Sequence, residues 1–483
     1  MLPSLARPIA EPGTAIAGDS ADPLQQYRYS WPREPLDGDA RWQFDAPSGT
    51  YSRELVETSE ELANDSRWPA FFPSPMCIVT ASDGQRVVIE REVGAAIVNR
   101  FPYVVAISIC RTSLSERHHP RNVFMDVLQQ GQVAALQFLP PGAALDAALA
   151  AIEQLPDGRA TERVSRSGLR LHEAPGGGAP WLDDAYLVYE TALVRPQCDF
   201  DGRPIFGTPW IDVGSHRVFF LEIHSIRLRR DIAHGESLVH WRALPRWGPL
   251  SKDALPQPRV ATLASKYQKG YHPEYVFPAP NTIAFEYDEI VDGMAVKHLP
   301  PLAHDQVEID NDKARWPCFF PSSCGLITSY GKDGTANIMP CGSTTIISRH
   351  PMIVAPCISY ASINERYSAR RSLELLRQRG RFGCSVPFIN DKLVDALKYC
   401  GNNSLSDDSH KVANSGFEIV SSGYGPRITA APVHFDCSVI GEISLGTHVM
   451  FLGKVERIHV RADVTPANPL VWCPWANVAS TGT

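Results

Sequence analysis

Apolar residues along this chain come in short blocks broken by Gly, Asp and Pro, not in long helical stripes. Between residues 325 and 359 the blocks are Gly325 to Ser329, Ile346-Ile347 and Met352 to Ser359, with a turn at Lys332-Asp333-Gly334. Runs of this length bounded by turn residues predict strands. Arg370 to Arg379 changes period: Leu373, Leu376 and their neighbours form one apolar face and Gly380 supplies a stop, which predicts a helix. A strand over Arg381 to Phe388 and a helix over Lys392 to Tyr399 follow, the latter preceded by the capping candidates Asn390 and Asp391. The same succession occurs earlier, with a helix over Asn122 to Gln130 before Gly131, a strand over Ala134 to Leu139 and a helix over Ala144 to Leu155. Many short strands with two or three helices between them predict a mainly β chain, built as a closed or nearly closed β-barrel with a few helices.

The succession recurs because the sequence does. Arg67-Trp68-Pro69-Ala70-Phe71-Phe72-Pro73-Ser74 returns as Arg315-Trp316-Pro317-Cys318-Phe319-Phe320-Pro321-Ser322, and a repeat of such unusual words is read as two tandem copies of one domain. Tyr27-Arg28-Tyr29-Ser30-Trp31-Pro32 has its counterpart in Tyr275-Val276-Phe277-Pro278, so each copy includes an N-terminal arm, expected to pack across the partner copy. Both copies also carry a polar loop, Pro156 to Ser167 and Ser404 to Ser415, and late strands that start near His216 and His448. The expected organisation is a mobile leader over 1–26, a first barrel domain over 27–240, a Pro/Trp-rich linker over 241–274 and a second barrel domain over 275–483.

Composition narrows the function classes. A formal net charge of −7 and a sequence pI near 6.1 give no electrostatic reason to expect nucleic acid or an anionic membrane. No apolar run approaches the roughly 18 residues of a membrane span. The N-terminal residues lack the uninterrupted apolar region of a signal peptide. Eleven cysteines without CxxC pairs are read as reduced, mostly buried thiols, and the expected location is the cytoplasm. No metal-ligand spacing, Rossmann GxGxxG, Walker A or GxSxG motif occurs.

One set of phrases carries a resemblance. Asp333-Gly334-Thr335-Ala336-Asn337 runs on to Cys341-Gly342-Ser343-Thr344 and Ser348-Arg349-His350-Pro351; further on come Arg366 to Ser372, Gly380-Arg381-Phe382 and Gly446-Thr447-His448. In this order they resemble the flavin reductase-like family, whose fold is an FMN-binding split β-barrel, in its flavoredoxin-like branch. The resemblance implies an FMN site, with FAD as the alternative, and NAD(P)H as co-substrate for reduction of the flavin. It implies that Thr335, Ala336, Asn337, Gly342, Ser343 and Thr344 contact the ring and ribityl chain, and that Arg366, Ser368, Arg371 and Ser372 hold the phosphate. His448 and His350 are the candidates for a role beside nicotinamide or substrate. Partners implied are a small-molecule substrate and a flavin-dependent oxygenase receiving reduced flavin, with the two copies forming an intramolecular pseudo-dimer, or a homodimer.

The residue chemistry suits that expectation. Small side chains at a turn let backbone approach an aromatic ring, and hydroxyl and guanidinium groups at a helix N-terminus make an anion site. The first copy departs from it. Registering Arg100 on Arg349, an offset of 349 − 100 = 249, sets Val88 opposite Asn337, Val93 opposite Gly342 and Val123 opposite Ser372, so the first copy's flavin site is expected to be lost. The cluster Arg117, His118, His119 and Arg121 is read as a solvated loop, Cys324 and Cys341 as packed thiols, and Trp68, Trp316 and their Phe neighbours as packing residues. Two other functional readings stay open: an enzyme that uses flavin or haem on a small metabolite without external nicotinamide, and a catalytically silent binding or assembly protein.

Overall fold

The computed structural model describes residues 40–55, 77–91, 94–99, 102–111, 122–139, 143–155, 157–198, 204–233, 287–299, 325–349, 351–359, 370–386, 391–445 and 448–462, with a few shorter pieces. The leader, most of the linker, most of both RWP-FFPS stretches, Val93, His350, Arg366, Ser368, Cys324 and the 117–121 cluster lie outside the described residues. The chain is mainly β, and its strands gather into two large sheets, each wrapped on a core of its own.

An N-terminal hairpin comprises β1 (Gln43–Asp45) and β2 (Thr50–Glu54). The first unit then contains β3 (Ile78–Ser82), β4 (Val87–Arg91), β5 (Gly94–Asn99), β6 (Val104–Cys110), α1 (Val123–Gly131), β7 (Val133–Phe138), α2 (Ala143–Gln154), α3 (Arg163–Ser167), β8 (Leu187–Leu193), β9 (Trp210–Val213) and β10 (His216–Arg229). A second hairpin, β11 (Glu289–Val291) and β12 (Met294–His298), precedes the second unit. That unit contains β13 (Gly325–Tyr330), β14 (Ala336–Cys341), β15 (Thr344–Arg349), β16 (Met352–Ser359), α4 (Arg371–Arg379), β17 (Arg381–Val386), α5 (Asp391–Asn402), α6 (Lys411–Ser415), β18 (Val433–Ser444) and β19 (His448–Arg461).

The two sheets have matching order. One runs β11-β12-β10-β8-β7-β3-β4, with β6 pairing β10 and β5 pairing β6; the other runs β1-β2-β19-β18-β17-β13-β14, with β16 pairing β19 and β15 pairing β16. The long strands β10 and β19 each join both edges of their sheet because their two halves pair with different neighbours. The hairpins, however, are exchanged. Ser52 pairs with His459 in the second unit's sheet, and Val296 pairs with Arg227 in the first unit's sheet. Phe72 of the first RWP-FFPS stretch is likewise buried in the second unit's core, 6.3 Å from the ring of Phe435. Sheet membership therefore crosses the domain boundaries read from the repeat.

The units meet through a third apolar cluster that joins Ala96, Val104, Ala106 and Phe220 to Ile347, Ile353, Ala355 and Met450. Ser108 Oγ donates to Ile347 O at 2.6 Å across this seam. At Gly94 a Cβ would lie 2.1 Å from Ile346 O, so the approach of β5 to β15 requires glycine there.

Helix ends correct the register at one point. α4 closes on Gly380 with φ of 62°, and α1 closes on Gln132 with φ of 61°, each cap N–H bonding the carbonyl four residues back. The offset here is 371 − 123 = 248, so the residue opposite Ser372 is Phe124, not Val123. Gln132, not Gly131, takes the left-handed position. Val88 does stand opposite Asn337: Val88 pairs with Ala81 and Asn337 with Ser329 at the same place in the two ladders. The polar loops of both units also contain short helices, α3 and α6, each ended by a left-handed glycine, Gly168 and Gly416.

Candidate functional site

The candidate site forms where the open edge of the second sheet meets the start of α4. β14 is the last strand of that sheet, and its residues alternate between two environments. Ala336 and Ile338 face the outer layer with Leu397, Cys400 and Val412, whereas Asn337, Met339 and Cys341 face the other way, toward the unit's main core. Asn337 is buried, and its Nδ2 donates to Ser372 Oγ at 2.8 Å. Lys411 reaches over the sheet edge from α6 and donates from Nζ to Asn337 Oδ1 at 3.3 Å. A buried chain Lys411–Asn337–Ser372 thus links one short helix, one strand and the first turn of a second helix.

Lys411 is 3% exposed and makes no salt bridge among the described residues. Burial pushes its ammonium down to about 8; Arg370 adds to the depression, while Cys400 and Asp408 oppose it. Ser329, directly opposite Asn337 in the ladder and therefore on the same face, has a fully buried Oγ with no partner among the described residues. α4 begins at an N-cap of Arg370 with no side-chain capping bond. Arg is a poor choice there, since capping normally uses a short oxygen-bearing side chain on the first N–H groups. The corresponding residue in the first unit is Asn122, whose side chain accepts from Met125 N at 3.2 Å.

The other predicted residues fall around this chain. Thr344 is buried, and its hydroxyl donates to Cys341 O at 2.9 Å. Gly342 and Ser343 form the half-buried turn before it, with Ser343 O accepting from Cys357 N. Thr335 is committed to the preceding turn: its hydroxyl and N–H both bond Asp333, and these bonds hold the Asp333 carboxyl below its usual range. Ala336 packs on the outer face, away from Asn337. Arg371 is ion-paired with Glu374. His448 opposes Ser359 across β16 and β19, and Ser359 Oγ accepts from Arg370 Nε at 3.3 Å, which sets His448 at the rim of the same region. Burial raises the Cys341 thiol pKa, so it is held as a neutral thiol.

Sequence reasoning named Asn337 and Ser372 but left Lys411 in a polar loop. A signal was available. Lys411 and Arg163 stand at the same place in the two polar loops, 411 − 163 = 248 residues apart, so a cation recurs at one position of the repeat.

The family comparison covers this part of the chain. Residues 318–476 match the model of the flavin reductase like domain. Over these residues the second unit is similar to that domain. Among solved structures the chain is similar to flavoredoxin from Methanosarcina acetivorans, at 20% identity over 31% of this chain and 74% of that one, with a TM-score of 0.26. Nitrilotriacetate monooxygenase component B from Mycobacterium thermoresistibile is 23% identical over 32% of this chain and 77% of its own, with a TM-score of 0.26. The NADH:FAD oxidoreductase of Streptomyces globisporus is 21% identical over 32% and 84%, also at 0.26. No curated protein matches. No helix among the described residues is long and apolar enough to cross a membrane.

Proposed function

We propose that the chain is a flavin-binding oxidoreductase in which the flavin reductase-like domain holds one FMN and reduces it with NAD(P)H, while the first unit has lost its site. The observation that carries this is the Asn337–Ser372 hydrogen bond, which joins the predicted ring-facing strand to the predicted phosphate-facing helix. The first unit has Val88 and Phe124 in these places, both buried. The donor set suits a phosphorylated flavin: an amide, a serine hydroxyl, an uncapped helix start and nearby Arg370. When bound, the flavin accepts hydride from the nicotinamide. The protein's share is to orient the ring against the turn at Gly342 to Thr344 and to exclude water with the core around Met339 and Cys341. His448, at the rim, is the proposed contact to nicotinamide or substrate.

The matching sheet orders and the repeated words support descent of the two units from one duplicated domain, packed as an intramolecular pseudo-dimer. A flavin-dependent oxygenase is the proposed receiver of reduced flavin. The test is the visible spectrum of freshly purified protein, followed by NADH and NADPH oxidation with added FMN. A flavin envelope and nicotinamide oxidation are expected. A colourless protein that neither takes up FMN nor oxidises nicotinamide refutes the reading.

A further inference from the structure

The two units treat one equivalent cation in opposite ways. In the first, Arg163 donates from Nη1 to Glu90 Oε2 at 2.7 Å and to Ile89 O at 3.1 Å, and from Nη2 to Leu155 O at 3.0 Å. The guanidinium is neutralised by a carboxylate and bonded on three sides. Lys411, its counterpart, has one amide oxygen among the described residues. Met339 occupies the position of Glu90, since Glu90 pairs with Val79 as Met339 pairs with Ile327, so the balancing carboxylate is missing. A buried ammonium without a counter-ion is costly, and proteins keep such a charge where something else supplies the opposite sign.

The surroundings show what that is. Ser372 accepts from Asn337, which leaves its hydroxyl proton to donate elsewhere, and Lys411 has two further N–H bonds to give. Among the described residues the first turn of α4 has no side-chain cap and Ser329 Oγ is buried without a partner, and Arg370 lies close enough to depress the Lys411 ammonium. Donors and positive charge converge on one place, the complement of a compact, multiply charged oxyanion.

We propose that Lys411 is a phosphate-binding residue of this chain, acting with Ser372 and the start of α4, and that this buried ammonium makes the protein select FMN over riboflavin. The inference rests on the flavin-binding reading above and adds the residue that discriminates between flavins. It also predicts a pH dependence. Bound phosphate favours the charged ammonium, so the free protein must carry the proton to bind well. Affinity for FMN is present below about pH 8 and falls as pH rises through it. Arg370 works against the proton on Lys411; Cys400 and Asp408 work for it.

The experiment titrates the full chain and its K411M variant with FMN and with riboflavin, followed by flavin fluorescence. The wild type is expected to bind FMN more tightly, and K411M to lose about 10- to 100-fold in FMN affinity while its riboflavin affinity changes by no more than about threefold. An equal loss for both flavins, or none for FMN, overturns the proposal and leaves the flavin reading intact. A wild type that binds neither flavin overturns both. If K411M does not fold, the wild type decides: FMN affinity must fall above about pH 8 while riboflavin affinity stays level, and a flat FMN profile overturns the proposal.

Discussion

Two units with the same strand order share one chain, and they differ where α3 and α6 approach the sheet edge. In the first unit that place is closed by the Arg163–Glu90 ion pair, with Val88 and Phe124 filling the space beside it. In the second it holds Lys411, Asn337, Ser372 and Ser329, a set of polar groups with bonds still to give. The contrast separates what a barrel needs for stability from what it keeps for a ligand. A satisfied buried charge locks a fold, whereas an unsatisfied one marks a site.

The comparison breaks most visibly if the second unit is given the first unit's residues. The double substitution Asn337→Val and Ser372→Phe copies Val88 and Phe124 and is expected to weaken flavin binding by more than about 100-fold, since two buried hydrogen-bonding groups are lost and the space is filled. Retention of flavin by that variant, measured by absorbance after gel filtration, places the site elsewhere.

Removing the first unit's carboxylate should instead damage the fold. Glu90→Gln leaves Arg163 buried at 2% exposure without its counter-charge and is expected to cost about 3 kcal/mol in chemical denaturation. Lys411→Met removes a charge already without a salt bridge among the described residues, and should leave stability unchanged or raise it. Equal destabilisation by the two variants erases the distinction between locked and waiting cations.

A smaller effect distinguishes the units by pH. The second unit contains a buried network in which Ser385 Oγ meets His434 Nδ1 at 2.7 Å and His459 Nε2 bonds Asp436 Oδ2 at 2.9 Å. Ser52 of the exchanged hairpin bonds His459 Nδ1 at 2.6 Å. At the position of His434 the first unit has Val188, and at that of Asp436 it has Glu190, paired with Arg227. Burial holds the His434 pKa below its ordinary value, although Asp436 beside it pulls the other way. The unfolded chain binds a proton at His434 that the folded one resists, so stability is lost as pH falls below about 6.5. Asp436, whose pKa is depressed by its two histidines in spite of burial, contributes stability above the ordinary carboxylate range and loses it only in stronger acid. Melting curves between pH 7.5 and 5.5 should show this loss as a fall in Tm. His434→Gln should flatten the slope; an unchanged slope assigns it to other groups.

Much of the architecture was legible because local signals were strong. Gly380 ends α4 where the apolar face stops, and Asn337 and Ser372, chosen from separate phrases, prove to be hydrogen-bonded. The helix α6 was not legible, because five residues have no period to detect; the only trace of Lys411 was the cation that recurs at Arg163. The one-residue error at Phe124 arose because the offset changes between β6 and α1, where the two copies share no matching words. The hairpin exchange agrees with the expectation that each arm packs across the partner copy, but the alternation in β2 or β12 reads the same whichever sheet it joins, and only the pairing of Ser52 with His459 and Val296 with Arg227 places it.

The central claim is that one unit of the pair holds flavin and the other cannot. Its most direct measurement is the flavin content of the chain at saturation, by absorbance after removal of free FMN, with light scattering to fix the number of chains. One FMN per chain is predicted, whatever the oligomeric state, and Val88→Asn alone should not add a second while Phe124 and Arg163–Glu90 fill the first unit's site. Two equivalent flavins per chain contradict the account.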